Sequence, residues 1–248
     1  MLNYIILGIV QGLTEFLPVS SSAHLVFAQR LLGMSGNGLA ISIALHLGTV
    51  FSLIIFFSKD IFKILSDKKL FLMILVVTIV TGIIGVSGKD FFESIFGSPK
   101  MISIALIITG IILLLTAKAK GASRKGLNIK DSFIFGIVQG IAVIPGISRS
   151  GSTISTLLFR GIDRDACFRF SLLASIPAVI GAAILEARHI GFIFGAEPKY
   201  LLAGFICSLL AGILSLWILK IVLHKAKLFY FGFYCIIVGI IGTVLNSR

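Results

Sequence analysis

Charge is scarce in this sequence. Of its 248 residues 13% are charged and only ten are acidic, where a soluble domain carries roughly a quarter charged residues. With 57% hydrophobic residues and a mean hydropathy of +1.10, too few polar side chains remain to cover a water-exposed surface. A soluble globular protein is excluded; lipid must be the solvent. Cysteine is sparse as well. Cys167, Cys207 and Cys235 are isolated, odd in number and flanked by apolar residues, so neither a disulfide framework nor a zinc motif is present. The alternating period of barrel strands is also missing, and backbone groups in lipid must be satisfied within each segment. What remains is an all-α integral membrane protein.

The charge in excess is positive, formally +12. Its placement argues against nucleic acid, because the basic residues sit in short loops between apolar runs, as in membrane proteins. Residues 1–17 resemble a secretory signal, but no basic residue precedes the run and Glu15 lies inside it, so the segment is expected to be retained. Six runs, at about 40–58, 70–87, 101–117, 168–186, 200–220 and 229–245, have the length to cross a bilayer. Two further stretches, 1–33 and 131–160, are broken in the middle by Pro, Gly and Ser. They predict re-entrant helical hairpins, which exist at membrane depth only where protein or a polar cavity surrounds them.

Loop charge orients these elements. Loops 59–69 and 118–130, with the turns around Arg160–Arg169 and Lys220–Lys227, hold fifteen basic residues; loops 88–100 and 187–199 hold four. The basic set is expected in the cytoplasm, which places both termini outside. Gly8-Ile-Val-Gln-Gly12 recurs as Gly136-Ile-Val-Gln-Gly140, and each copy leads through a Pro into a Ser cluster. The chain therefore divides into an inverted repeat within a single membrane domain, 1–248. Repeat 1 is 1–117, the hairpin 1–33 plus three spans; 118–130 is a cytoplasmic linker; repeat 2 is 131–248, the hairpin 131–160 plus three spans. Inverted repeats with broken helices place their sites near the midplane, where the hairpins meet.

Glu15 is the one acidic residue inside a membrane segment, and Arg149 the one basic residue that no loop or terminus accounts for. A charge at bilayer depth costs about 3 kcal/mol on insertion scales, so such residues serve function or pair with each other. The bland reading is a structural bridge pinning the hairpins together. The polar neighbours favour function. In Gln11-Gly-Leu-Thr-Glu15-Phe-Leu-Pro18-Val-Ser20-Ser21-Ser22-Ala-His24, Gln11 and Glu15 share a helix face, Pro18 ends that helix and the Ser run is expected to cap the next, which carries His24. In Pro145-Gly-Ile-Ser148-Arg149-Ser150-Gly-Ser-Thr153, a helix start, an Arg fork and hydroxyls make a phosphate cradle. His46, in a span, fits either the site or helix packing.

These two motifs together resemble the undecaprenyl-diphosphate phosphatase family of the bacitracin-resistance type; both match, in order, across nearly the whole chain. The resemblance implies hydrolysis of a polyprenyl diphosphate to the monophosphate and inorganic phosphate. It also implies a fold of six spans and four shorter re-entrant helices, and a site open to the extracytoplasmic face of the cell membrane. Gln11 stands where the family often has Glu; a neutral amide is no base, so Glu15 carries any carboxylate role alone. Arg149 is expected to clamp the transferred phosphoryl, with Gln11, Ser20, Ser22, Ser148, Ser150 and Thr153 binding phosphate. Ser21 is the candidate nucleophile and His24 its base and then acid; direct attack by water fits equally. Glu15 with Gln11 would orient His24 or hold a divalent cation, Mg2+ or Ca2+. Polyprenyl diphosphate and membrane lipids are the expected partners, and a homodimer is compatible with such a chain. The main rival is a transporter or flippase of an anionic lipid or small anion. A phosphatidic-acid phosphatase would need a later His paired with Asp, and here only His189 and His224, in loops, follow Arg149.

Overall fold

Long apolar runs without alternation fold as helices. Among the described residues the only extended pairing is one isolated bridge, Arg124 to Ile162. The computed structural model describes residues 1–34, 38–119, 124, 126–187 and 197–246; Lys120, Lys125, Arg188 and His189 lie outside the described residues. In chain order, α1 (Leu2–Phe16) and α2 (Ser21–Leu31) form the first hairpin. Next come α3 (Gly38–Phe56), α4 (Ser58–Ser66), α5 (Lys68–Ser87), α6 (Lys89–Phe96) and α7 (Pro99–Leu115). The second hairpin is α8 (Ile129–Ile141) and α9 (Arg149–Phe159), followed by α10 (Arg164–Ala187), α11 (Pro198–His224) and α12 (Phe229–Leu245).

The chain is all-helical and multi-pass. Among the described residues, four helical stretches, within α5, α7 with the turn after it, α10 and α11, run 20 to 27 residues and are apolar enough to cross a membrane. The pair α3 and α4 also qualifies, bent by 79° at its break. With 17 residues α12 is about 26 Å long at 1.5 Å per residue, a little short of a ~30 Å hydrocarbon core. Two predicted loops contain helices, a correction to the reading of 59–69 and 88–100. Both α4 and α6 are short and two-sided: Ile61 and Ile64 pack on the core while Phe62 is exposed, and Phe92 and Ile95 are buried beneath the charged Lys89 and Glu93. Such a pattern suits a helix lying along an interface.

The repeated Gly motif acts through close approach. On α1, a Cβ at Gly8 or Gly12 would strike the carbonyls of Gly204 or Ser208 on α11, and the Ser215 hydroxyl of α11 donates to the Gly12 carbonyl at 2.8 Å. On α8, Gly136 and Gly140 lie against Val80 and Ile84 of α5. There the Thr81 hydroxyl donates to the Gly136 carbonyl at 3.2 Å, and Gln139 Nε2 donates to Thr81 at 3.2 Å. Small residues four apart let helices meet in lipid, where apolar burial gives no drive. Each hairpin thus packs on a helix from the other half of the chain, and α7 packs along α12.

At its loop end the second hairpin is tied by one carboxylate. Asp131, fully buried, accepts from Arg124 and from Arg160 Nε (2.5 Å), and completes a capping box with Asn128. The Arg124 backbone pairs with Gly161 and Asp163. Burial alone would raise the Asp131 carboxyl, but Arg160, the Asn128 N–H and Arg124 together hold it below the usual carboxylate range.

Candidate active site

The two interrupted helices meet at Glu15. Its Oε2 accepts from Ser21 Oγ at 2.6 Å and from Gln11 Nε2 at 3.0 Å, and its Oε1 accepts from Arg149 Nη2. Gln11 lies one helical turn before Glu15 on α1, Ser21 is the first residue of α2, and Arg149 the first residue of α9. Chain reversal at each break brings the two helix starts to one carboxylate, 134 residues apart in sequence for Arg149. Glu15 and Gln11 are buried. Two further atoms here are buried without a protein partner: Arg149 Nη1, the second arm of the fork, and Gln11 Oε1. Buried polar atoms are rarely left so unless something else binds them.

The remaining predicted residues divide by task. Ser148 caps α9, its hydroxyl accepting from Gly151 N at 3.1 Å, while its own N–H is held by Thr109 Oγ1 at 2.9 Å. Ser150 donates to the Leu17 carbonyl at 3.3 Å, linking the second hairpin to the first. Thr153 donates back to the Arg149 carbonyl at 2.8 Å and meets Ser171 at 2.7 Å. Gly146, at φ 97 and with a Cβ position blocked by the Ile102 carbonyl, has room for no side chain; its N–H donates to Ser22 Oγ at 3.3 Å. The Ser148, Ser150 and Thr153 hydroxyls therefore hold the second hairpin in shape, and the donor aimed at the junction is Arg149.

Two expectations need correction. No Ser of the first cluster makes a side-chain cap on α2. Ser20, at the cap position, has a φ of 65, a conformation L-residues seldom adopt, and its hydroxyl pairs with Ser22 at 3.1 Å. Its carbonyl instead receives both the His24 backbone N–H (3.3 Å) and His24 Nδ1 (2.8 Å). Nor does Glu15 orient His24: the second ring nitrogen, Nε2, meets the Tyr234 hydroxyl at 2.7 Å. Sequence reading missed Tyr234, whose only signal was a hydroxyl inside the last apolar run. His46 Nδ1 donates to the Ser42 carbonyl at 2.8 Å, and the ring lies within electrostatic reach of Glu15.

The class these features define is an all-helical membrane protein with a carboxylate, a guanidinium and a hydroxyl converging at two interrupted helices. Comparison with known proteins narrows it. The chain belongs to the family of the bacitracin resistance protein BacA, which matches residues 4–241. It is 42% identical over 250 residues to an undecaprenyl-diphosphatase of Halothermothrix orenii, covering 97% of this chain and 96% of that protein. It is 40% identical over 252 residues to one of Carboxydothermus hydrogenoformans (98% and 96% covered), and 40% over 265 residues to one of Bacteroides fragilis (98% and 97%).

Proposed function

We propose that this junction hydrolyses undecaprenyl diphosphate to undecaprenyl phosphate and inorganic phosphate, returning a lipid carrier to use. Family membership and the relatives' shared name support the reaction, and one observation carries the mechanism. Ser21 Oγ donates to one oxygen of Glu15 at 2.6 Å while Arg149 holds the other. Ser21 thus has a proton acceptor in contact, and Arg149 keeps a free Nη1 for a phosphoryl oxygen.

In this reading the terminal phosphate enters at the start of α2, where backbone N–H groups without a side-chain cap favour an anion. Phosphoryl oxygens compete with Glu15 for Arg149, freeing the carboxylate to take the Ser21 proton as Oγ attacks the terminal phosphorus. The bond from that phosphorus to the bridging oxygen breaks. Undecaprenyl phosphate leaves with a proton from His24, which lies three residues from Ser21 on the same face of α2. Water then attacks the phosphoserine, giving its proton to His24, and phosphate departs as Oγ regains a proton from Glu15. Base duty in the first step thus falls on Glu15 rather than on His24.

A divalent cation fits beside this machinery. Among the described residues no three His, Cys, Asp or Glu side chains gather to hold a metal. However, Mg2+ is commonly held by one or two carboxylates plus substrate phosphates, and Glu15 with the unpartnered Gln11 Oε1 offers such oxygens. Bound there, Mg2+ or Ca2+ would neutralise phosphate charge. The same proposal takes residues 1–117 and 131–248 as inverted halves, with the basic loops in the cytoplasm and both termini outside. Reciprocal packing of each hairpin on the other half supports the inverted halves, and loop charge supports the orientation.

Detergent-purified protein, with no gradient, should release phosphate from undecaprenyl diphosphate, as no carrier would. Rapid quenching with terminally labelled substrate should trap label on Ser21 and lose it in Ser21→Ala, along with nearly all turnover. A Ser21→Ala enzyme at the wild-type rate would assign the attack to water directly.

A further inference from the structure

His24 has both ring nitrogens engaged, and the partner at Nδ1 fixes where its first hydrogen sits. A backbone carbonyl only accepts, so Nδ1, 2.8 Å from the Ser20 carbonyl, carries a hydrogen. In the neutral ring Nε2 then holds the lone pair, and the Tyr234 hydroxyl donates to it at 2.7 Å. The two rings lie nearly parallel, 9° apart with centroids at 5.6 Å. Tyr234 reaches His24 from α12, 210 residues along the chain; 43% exposed, it shares the outward face of that helix with Phe233, Ile237 and Ile241, an apolar stripe suited to lipid. Nδ1 thus faces the hairpin backbone, and Nε2 the bilayer side of the site.

That direction has chemical meaning for a lipid diphosphate. The prenyl chain stays in the bilayer, so the bridging oxygen, which needs a proton as it leaves, lies on the lipid side of the terminal phosphorus. We propose that Tyr234 is a positioning residue for the hydrolysis. With the Nδ1–H form set by the Ser20 carbonyl, the Tyr234 hydroxyl holds Nε2 on the side from which the prenyl-phosphate leaving group departs. With Nε2 protonated, the same hydroxyl turns to accept until the bridging oxygen takes its place as acceptor of that hydrogen; once the proton has passed, the hydroxyl donates to Nε2 again. This rests on the proposed hydrolase reading.

The test is Tyr234→Phe, which keeps the ring and removes only the hydroxyl. General acid–base catalysis contributes about 10²–10⁴-fold, and loss of its positioning partner should remove on the order of tenfold of that. The expected result is a kcat lowered about tenfold at unchanged KM and melting temperature, a displaced His24 limb in the pH–rate profile, and no further loss when combined with His24→Gln. In ¹⁵N spectra of the full chain, the His24 Nε2 resonance should shift with loss of its hydrogen bond while Nδ1 stays protonated. A Tyr234→Phe protein with the wild-type kcat and His24 nitrogen shifts overturns the proposal, as does a loss that adds fully to that of His24→Gln. If wild-type protein releases no phosphate from a prenyl diphosphate, the hydrolase reading fails instead, and the nitrogen shifts still test Tyr234 apart from turnover.

Discussion

Replacing Arg149 by Lys separates a catalytic clamp from a structural bridge. One guanidinium nitrogen is committed to Glu15, and the other is buried with no protein partner. Lysine keeps the charge but offers a single compact ammonium in place of a planar fork. It can hold Glu15 or a phosphoryl oxygen well, not both. Removing one preorganised donor to developing charge costs about 2.7–4 kcal/mol, a fall of about 10²–10³ in kcat. Because Glu15 keeps a counter-ion, Arg149→Lys should melt close to wild type. By contrast, Arg149→Met strands a buried carboxylate and should lose about 3–5 kcal/mol of stability. The assay is phosphate release from undecaprenyl diphosphate by purified protein, beside thermal unfolding in the same detergent. Wild-type kcat in the Lys variant would refute the clamp. Equal loss of stability in both variants, with turnover tracking the folded fraction, would reduce the pair to a pin between the hairpins.

Other consequences follow from packing and charge. Gly12→Ala drives a methyl into the Ser208 carbonyl and should lower stability by about 1–3 kcal/mol, whereas Gly85→Ala, with open space around it, should not; equal melting temperatures would disprove the close approach of α1 and α11. Asp131→Asn leaves Arg124 and Arg160 short of an anion and should lower stability by about 1–3 kcal/mol near neutrality. Its carboxyl is held below its usual range, so its contribution is present above the unfolded value of about 3.9 and fades as pH falls through the folded one. Stability of the Asn variant should therefore drop less on acidification; parallel acid curves for the two proteins would contradict the buried tie.

The hairpins were legible because a Pro, Gly and Ser break inside an apolar run has few solutions in lipid. The Glu15–Arg149 contact was legible because two isolated charges at depth must find each other or something better. Helix boundaries followed from hydropathy except in α4 and α6, where four apolar side chains each sit among lysines and carboxylates and loop charge masked a two-sided helix. No sequence feature says that Arg124, seven residues before it, and Arg160, 29 residues after it, enclose Asp131. The Ser run is expected to cap α2, but the Ser20 backbone turns its carbonyl toward His24 instead, a choice set by tertiary packing. The Tyr234 contact lay beyond reach for the same reason: 210 residues separate it from His24, and a Tyr in a span reads as packing.

The Glu15–Arg149 contact also sets an order of assembly. Their separation of 134 residues corresponds, at about 5–20 residues per second, to on the order of ten seconds of synthesis during which the carboxylate has only Gln11 and Ser21 for company. Lipid tolerates that poorly, so α1 and α2 have reason to wait at the membrane surface and to settle at depth only when their later-made counter-ion arrives.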